Sequence, residues 1–417
     1  MAPTRIIDSH VHLWPESMSN EDGHAWMTPG MPLARQHILS DYYEASEQNG
    51  EHDTNIIVEG MVYVETDVKY EKPSGDLSAW AKGPLDEIRF LRAIVEGNYG
   101  ERDSRMLLGI VAWAPMDQPP AVLEEWLVLA EQTAGPQTWA RIKGFRFLLQ
   151  AITDQVEFEK LVLGADFVKN LKILGRKGFS FDVGVDQNSG GVWQLEAISK
   201  AMKRAHEDIS EHEKVAFILN HFCKPDFAST GEAFDRWRAA TESMSTFSKT
   251  YMKLSGAFSE LPAGLQNVAD VVSAMKPWYN HIFELFGPRR ILFGSDWPAA
   301  QNSAGIQTLL DAEREAQKIV QKAREYRTKR VKDARSEAQK EIEEYRNQKE
   351  EDFKAFEKQH TSGNEKAEQD ANKDTEKQLN EIKQVGSKTG PKVVDDLLKA
   401  VMEPHPEVPD RAEQPVA

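Results

Sequence analysis

The sequence predicts a (β/α)8 barrel followed by a long α-helical coiled-coil segment. Eight short apolar runs recur in the first 298 residues, and most intervals between them have a helical pattern. All ten tryptophans lie at or before Trp297, and no proline occurs between Pro298 and Pro391. About 40% of residues 301–417 are charged, compared with about 24% of residues 1–300. These contrasts indicate an acidic globular domain joined to a charge-dense helix.

The eight predicted strands follow one another along the first domain. They span residues 5–8, 56–64, 107–112, 143–147, 178–183, 216–220, 252–255 and 291–294. Strands alternating with helices imply a parallel sheet, and eight of them in about 290 residues imply a closed barrel. The alternative is an open doubly wound sheet, and the absence of a glycine-rich phosphate turn after the first strand disfavours it. Residues 9–55 are predicted to form an active-site loop.

Composition excludes several classes of protein. The net charge of −16 argues against a nucleic-acid-binding protein. The single cysteine, Cys223, excludes a disulfide framework and fits a reducing compartment. No apolar run reaches the ~18 residues of a membrane span, and the N-terminus lacks the apolar core of a signal peptide. We therefore expect no direct membrane span, and any membrane association would go through a partner.

Polar residues at the ends of the predicted strands define a candidate site, because chemistry in such barrels lies at the C-terminal strand ends. The first strand ends in His10-Val11-His12, which places both imidazoles on one face. The other ends contribute Glu65, Arg146, Asp182, Asn220 with His221, Lys253 with Ser255, and Asp296. A lone His-x-His pair is usually incidental. Its combination with a histidine on strand six and an aspartate on strand eight is a strong signal.

The residue types in this set suit hydrolysis. Neutral His10, His12 and His221 offer nitrogen ligands and Asp296 offers an oxygen, a set that suits one divalent ion such as zinc. Such an ion would lower the pKa of its water and polarise a scissile carbonyl. Asp296 would accept the proton of the attacking water. Arg146 is either a fork for a substrate carboxylate or part of a salt bridge inside the barrel.

These residues resemble the amidohydrolase superfamily. Asp-Ser-His-Val-His-Leu-Trp at 8–14, Lys-Leu-Ser-Gly at 253–256 and Phe-Gly-Ser-Asp-Trp-Pro at 293–298 are similar to its amidohydrolase-related branch, which contains lactonases acting on sugar lactones and pyrone dicarboxylates. The resemblance implies a small lactone or carboxylate substrate, with His10, His12, His221 and Asp296 as catalytic residues. It also implies substrate contacts from Arg146, Glu65 and Lys253.

The resemblance leaves the cofactor and the reaction open. Some lactonases of this branch work with a metal, which His10, His12, His221 and Asp296 would hold. In others, histidines polarise the carbonyl and the aspartate alone activates water. A decarboxylase of the same superfamily is the alternative enzyme, and the Ser-Asp-Trp-Pro ending argues against it.

Two features depart from the family pattern. The sixth strand usually ends in Asp-His, a small residue and Gly, whereas this chain has Asn220-His221-Phe222-Cys223. Cys223 is expected to be a buried, inert thiol. Family members also continue beyond the last strand with a loop and a final helix, which this chain lacks after Pro298. An exposed apolar flank on the barrel is therefore expected.

Residues from 303 to about 360 consist mainly of strong helix formers and are predicted to form one helix of roughly 80 Å. It has a thin apolar stripe: Leu309, Ala312, Ala316, Ile319, Ala323, Tyr326, Ala334 and Ile342. The step of about 3.6 residues favours a straight or slightly right-handed helix pair, and a solvated single helix is the alternative. Residues 361–364 are predicted to interrupt the helix. A second helix to about Val385 and an amphipathic segment after Gly390-Pro391 are expected to follow.

The segments 305–316 and 322–327 resemble the G subunit of the V-type proton ATPase (V-ATPase), as does the rest of 301–403. The resemblance implies a partnership with the E subunit in a peripheral stalk that holds the ATP-hydrolysing head against the rotor. It also implies no cofactor in this segment and a position on the cytosolic face of vacuolar or other acidifying membranes. The expected domains are 1–298, 299–360 and 361–403, with a disordered tail at 404–417.

Three interpretations follow. The chain is a stalk subunit with a fused amidohydrolase-like domain, or a lactone hydrolase whose helix is an assembly device. In the third, two neighbouring genes have been joined in one reading frame, which the abrupt junction without a linker favours. For the chain as written, the stalk function ranks first, because that segment is complete whereas the barrel lacks its end.

Overall fold

The computed structural model describes residues 4–47, 56–256, 260–261, 268–299 and 306–403. The chain divides into two compact units, Met1–Arg324 and Glu325–Ala417. The predicted disordered tail at 404–417 lies outside the described residues.

The first unit contains one sheet of eight parallel strands in chain order. The strands are β1 Thr4–Val11, β2 Ile56–Val64, β3 Leu107–Trp113, β4 Ile142–Arg146, β5 Ser180–Val183, β6 Ala216–Leu219, β7 Thr250–Leu254 and β8 Ile291–Phe293. Each overlaps one predicted run. Residues just after β8 return to β1, where they form an isolated parallel bridge between Val11 and Trp297. The sheet is therefore a nearly closed barrel, and the predicted fold class is confirmed.

Helices connect the strands. They are α1 Leu39–Glu47, α2 Leu77–Trp80, α3 Lys82–Val95, α4 Glu101–Met106, α5 Pro120–Trp139, α6 Gln155–Val162, α7 Ala165–Arg176, α8 Trp193–His206, α9 Glu232–Ser245 and α10 Val268–Phe286. The third helix shows why these segments are helical: Leu85, Ile88 and Leu91 recur at helical spacing and are buried. Its outer face holds ion pairs such as Lys82 with Asp86. The apolar stripe thus seats α3 on the sheet.

Large apolar side chains fill the space between the sheet and the helices. Six of the seven positions of β3 are buried, which is typical of a parallel strand covered on both faces. Trp113 at its end contacts Trp126 of α5 edge to face, with ring centroids 5.0 Å apart. The indole nitrogen of Trp126 donates to the carbonyl oxygen of Trp113 at 3.1 Å. This bond satisfies the polar atom of a fully buried indole.

The flank formed by β8 and β1 is less covered. All three positions of β8 are only partly buried, and Ile7 of β1 is 49% exposed. Among the described residues, no α-helix lies between β8 and Ile306. Ile7 is thus an exposed apolar side chain on this flank.

The long helix α11 spans Ile306–Met402 and has 97 residues, and the second unit contains it from Glu325 onward. At 1.5 Å per residue it is about 145 Å long. The predicted interruption at 361–364 and the predicted breaks near Gly386 and Pro391 were wrong, because the helix continues through all of them. One internal glycine costs about 1 kcal/mol and one proline about 3 kcal/mol, which neighbouring strong helix formers can offset. None of the described helices is long and apolar enough to cross a membrane.

A buried carboxylate joins β1 to the residues after β8. Asp8 Oδ1 accepts hydrogen bonds from the Ser295 amide at 2.8 Å and the His10 amide at 3.2 Å. Its Oδ2 accepts from the Tyr42 hydroxyl at 3.0 Å. Burial raises the pKa of Asp8, although these hydrogen bonds lower it in part. Asp8 therefore helps to close the barrel.

We expect Asp8→Ala to lower the free energy of unfolding of the barrel by about 3 kcal/mol, because it leaves three donors without their acceptor. Urea unfolding followed by tryptophan fluorescence measures this selectively, since all ten tryptophans lie in the first 297 residues. Tyr42→Phe removes one of the three bonds and should cost about 1 kcal/mol. Equal losses in the two variants would show that Asp8 does not link the strands.

Candidate active site

The structure brings together the four residues predicted to be catalytic. Asp296 Oδ1 lies 3.5 Å from His10 Nε2, 3.5 Å from His12 Nε2 and 3.7 Å from His221 Nε2. The rings of His10 and His221 are 4.5 Å apart. His10, His221 and Asp296 are buried, whereas His12 is partly exposed. One carboxylate oxygen thus faces three imidazoles at the C-terminal ends of the strands.

The backbone around these side chains is unusual. Asp296 has φ 59°, and the four residues His221, Phe222, Cys223 and Lys224 all have φ between 43° and 63°. Residues other than glycine rarely adopt this left-handed region, and such residues cluster at functional sites. Cys223 occupies the position where the family pattern has glycine. It is fully buried, as expected, and burial raises the pKa of its thiol to about 12.

Gly256 makes room for the site. A Cβ atom at this position would lie 2.5 Å from His221 Nδ1 and 2.9 Å from Asp296 Oδ2. Its φ of 56° also favours glycine. Any larger residue would therefore displace two of the four catalytic candidates.

The second ring nitrogen of each histidine has its own neighbour. His12 Nδ1 lies 2.8 Å from the carbonyl oxygen of Val64, and His221 Nδ1 lies 2.9 Å from Ser255 Oγ. Because a carbonyl only accepts, His12 Nδ1 carries the proton and its Nε2 presents a lone pair. His10 Nδ1 lies 3.4 Å from Lys253 Nζ.

The electrostatics favour a neutral His10, a neutral His221 and an ionised Asp296. Burial, assisted by Lys253, holds the pKa of His10 well below its ordinary value. Burial lowers the pKa of His221 to about 4. Burial alone would raise the pKa of Asp296, but the nearby His221 and His12 outweigh it and bring the pKa to about 2. At neutral pH, Asp296 is therefore a carboxylate beside uncharged His10 and His221.

Arg146, Glu65 and Lys253, the residues predicted to bind substrate, are held in buried ion pairs. Arg146 Nε donates to Glu65 Oε1, and Arg146 Nη2 donates to the carbonyl oxygen of Glu65 at 2.5 Å. This is the salt bridge that the sequence left as the alternative for Arg146. Lys253 donates to Asp182 Oδ2 at 2.7 Å. One pair joins the end of β2 to β4, and the other joins β5 to β7. Arg146 and Lys253 are therefore held in place inside the barrel.

A second polar network was missed by the sequence reasoning. Glu87 of α3 accepts from the Tyr63 hydroxyl at 2.7 Å and from the Thr66 amide at 3.0 Å. Burial and the nearby Glu65 raise the pKa of Glu87 to about 7. The only signal in the sequence is a glutamate on the otherwise apolar face of α3. The network ties the loop after β2 to the helix behind it.

The residues fit a zinc-like ion in donor type and spacing. The ligand atoms of His10, His12 and Asp296 lie within 4.8 Å of one another. Zinc bonds of about 2.0–2.1 Å in a tetrahedron place ligand atoms roughly 3.3 Å apart, close to the 3.5 Å and 3.7 Å separations around Asp296. His12 has the carbonyl partner that a metal-bound imidazole usually has. His10 lacks such a partner, because its second nitrogen faces Lys253.

The predicted partner stripe lies on α11. Tyr326 is 66% exposed, Ile342 is 60% exposed and Ala334 is exposed. The side chains of the other predicted members are outside the described residues; they are Leu309, Ala312, Ala316, Ile319 and Ala323. The described part of the stripe is therefore accessible on the second unit.

Two known families match this chain, and their matches overlap at residues 301–333. The amidohydrolase family profile matches residues 7–333, and the profile of the vacuolar (H+)-ATPase G subunit matches residues 301–405. The chain therefore belongs to the amidohydrolase family and, in its C-terminal segment, to the family of V-ATPase G subunits. Both predicted resemblances are confirmed.

The matches to individual relatives extend over most of the length of each relative. The L-rhamnono-γ-lactonase of Scheffersomyces stipitis is 32% identical over 326 residues, which are 73% of this chain and 88% of that protein. The G subunit of the V-type proton ATPase of Neurospora crassa is 65% identical over 109 residues, 26% of this chain and 95% of that protein. A crystal structure of a zinc-bound amidohydrolase from Burkholderia multivorans matches with a TM-score of 0.53 at 24% identity, over 76% of this chain and 92% of that one. This last similarity supports the barrel fold.

We expect Arg146→Met to lower the free energy of unfolding by about 3–5 kcal/mol, because Glu65 is left as a buried charge without its partner. Adding Glu65→Gln removes that charge and should recover most of the loss. Urea unfolding followed by tryptophan fluorescence measures both variants. If the double variant were no more stable than the single one, the ion pair would not be the reason for the loss.

Proposed function

We propose that the barrel is a lactone hydrolase in which Asp296 activates the attacking water. The observation that supports this most directly is the Asp296 carboxylate, buried among three histidines and ionised at neutral pH. A carboxylate in this state can accept a proton from water. The relative that matches most of the barrel bears the name of a lactonase.

The proposed reaction is the opening of a lactone ring. Water adds to the carbonyl carbon and gives one proton to Asp296, which then returns it to the ring oxygen as the C–O bond breaks. The product is a hydroxy acid. The imidazoles around Asp296 hold the water and the carbonyl oxygen, and burial keeps other water away.

The remaining polar residues would position the substrate. Glu65 binds two nitrogens of Arg146 and leaves Nη1 to donate to a substrate oxygen. A divalent ion bound by His10, His12, His221 and Asp296 would polarise the carbonyl and lower the pKa of the water. The residue types of these four positions suit such an ion whether or not the reaction requires it.

We expect Asp296→Asn to lower kcat for hydrolysis of a sugar lactone by about 10²- to 10⁴-fold, because an amide cannot accept the proton. Asparagine tolerates the left-handed backbone, so the fold should persist. Asp208→Asn is a matched control. Asp208 also has a positive φ of 55°, but its side chain is exposed and it is not one of the candidate site residues. Product analysis separates ring opening from decarboxylation. Full activity in Asp296→Asn would contradict the mechanism.

We also propose that α11 acts as the G subunit of a V-type ATPase stalk and pairs with the E subunit. The sequence identity of 65% over 95% of a known G subunit supports this assignment. The uninterrupted helix and its exposed apolar residues fit a two-helix partnership. Through this partner the chain would reach the ATP-hydrolysing head on the cytosolic face of an acidifying membrane. In this proposal the barrel is a fused domain on a mechanical component of the stalk.

We expect Ile342→Glu in the full chain to reduce co-purification with the E subunit at least about tenfold, because a charge would enter the apolar seam. Asn347→Glu adds the same charge about 140° further around the helix and should leave binding unchanged. Circular dichroism checks that both variants remain helical. Equal binding by wild type and Ile342→Glu would place the partner elsewhere or exclude it.

A further inference from the structure

Lys253 is the unusual neighbour in the candidate active site. Its ammonium group lies 3.4 Å from His10 Nδ1 and donates to Asp182 Oδ2 at 2.7 Å. The side chains of Lys253 and Asp182 are 3% and 1% exposed. Asp182 Oδ1 is buried and has no hydrogen-bond partner among the described residues. Asp182 is thus paired with Lys253 beside the ring of His10.

This arrangement fixes which nitrogen of His10 carries its proton. An ammonium group has three donors and no acceptor. His10 Nδ1 must therefore accept, and the proton of the neutral ring lies on Nε2. That nitrogen faces His12 Nε2 at 3.2 Å and Asp296 Oδ1 at 3.5 Å. His10 consequently presents an N–H group to the centre of the site.

His12 has the opposite arrangement. Its Nδ1 faces the carbonyl oxygen of Val64, so its Nε2 presents a lone pair to the centre. The short contact between His10 Nε2 and His12 Nε2 then has one donor and one acceptor. The two imidazoles of the His-x-His pair are therefore not equivalent, although the sequence motif treats them alike.

We propose that Lys253, supported by Asp182, is a positioning residue that keeps His10 as a hydrogen-bond donor to the carbonyl oxygen of the substrate and opposes its use as a metal ligand. The second ring nitrogen of a metal-bound histidine usually carries a proton, which it donates to a carboxylate or a carbonyl oxygen. Lys253 cannot take the place of that acceptor, because an ammonium group only donates. The role assigned to the substrate carbonyl rests on the proposed lactone hydrolysis. The tautomer and the effect on metal affinity do not depend on it.

The first test uses the wild-type full chain labelled with 15N-histidine. Long-range proton–nitrogen correlation spectra distinguish a protonated from an unprotonated ring nitrogen, and comparison with His10→Gln assigns the His10 signals. We expect the metal-stripped protein to carry the His10 proton on Nε2. A proton on Nδ1 would overturn the proposal. This measurement needs no variant of Lys253 and no enzyme activity.

The second test measures zinc affinity by competition with a chelator. The double variant Lys253→Met with Asp182→Asn removes both charges of the pair, so no unpaired buried charge remains. We expect it to bind zinc at least about tenfold more tightly than the metal-stripped wild type, since His10 is then free to change its tautomer. Unchanged or weaker affinity would overturn the proposal. Lys82→Met with Asp86→Asn, the same change at an exposed pair, should leave zinc affinity unaltered.

Lactonase activity separates this inference from the proposed function. If wild type hydrolyses no lactone but both other results are as expected, the proposed reaction is wrong and the assignment of His10 stands. If wild type is active and the double variant, free of metal, keeps its full kcat, Lys253 does not position a catalytic donor. A loss of kcat with little change in KM is the expected result, because a donor to the carbonyl acts mainly in the transition state.

Discussion

Two backbone hydrogen bonds between the first strand and the residues after the last strand hold the barrel together where its site lies. The amide of Asp296 donates to the carbonyl oxygen of His10 at 2.9 Å, and the amide of His12 donates to that of Trp297 at 2.8 Å. The backbone of His10, His12 and Asp296 thus joins the two ends of the sheet, and the side chains of the same three residues meet in the candidate site. Because both histidines and the aspartate are anchored at these bonds, an opening of this seam would also separate the candidate catalytic groups.

Paired charges explain how so many ionisable groups remain buried in one barrel. Burying an isolated charge is costly, whereas a pair with satisfied hydrogen bonds is tolerated. Arg146 is matched by Glu65 and Lys253 by Asp182, so neither pair adds net charge. The neighbours of the Asp296 carboxylate are histidines, whereas Glu65 and Asp182 are paired with an arginine and a lysine. A group held in this way keeps its ability to exchange a proton, which a carboxylate locked in an arginine salt bridge largely loses.

The strands and the polar residues at their ends could be predicted because both signals are local. Apolar runs and the His-x-His spacing are visible within a few residues, and the barrel rule then places the strand ends together. The partners of Arg146 and His10 could not be predicted in the same way, since they come from strands far away in the chain. The continuity of α11 was missed for a different reason. Glycine and proline are local helix breakers, but strong helix formers on both sides of them offset their cost.

The junction between the two family segments affects the outside of the barrel more than the candidate site. The positions of β8 are only partly buried, and Ile7 of β1 is exposed. The site is held by bonds on the inner side and at the strand ends, from Asp8, Ser255 and the backbone of His10. None of these contacts involves the partly exposed side chains of this flank. The geometry of the candidate site therefore depends on contacts within the barrel and not on the apolar side chains exposed on its outside.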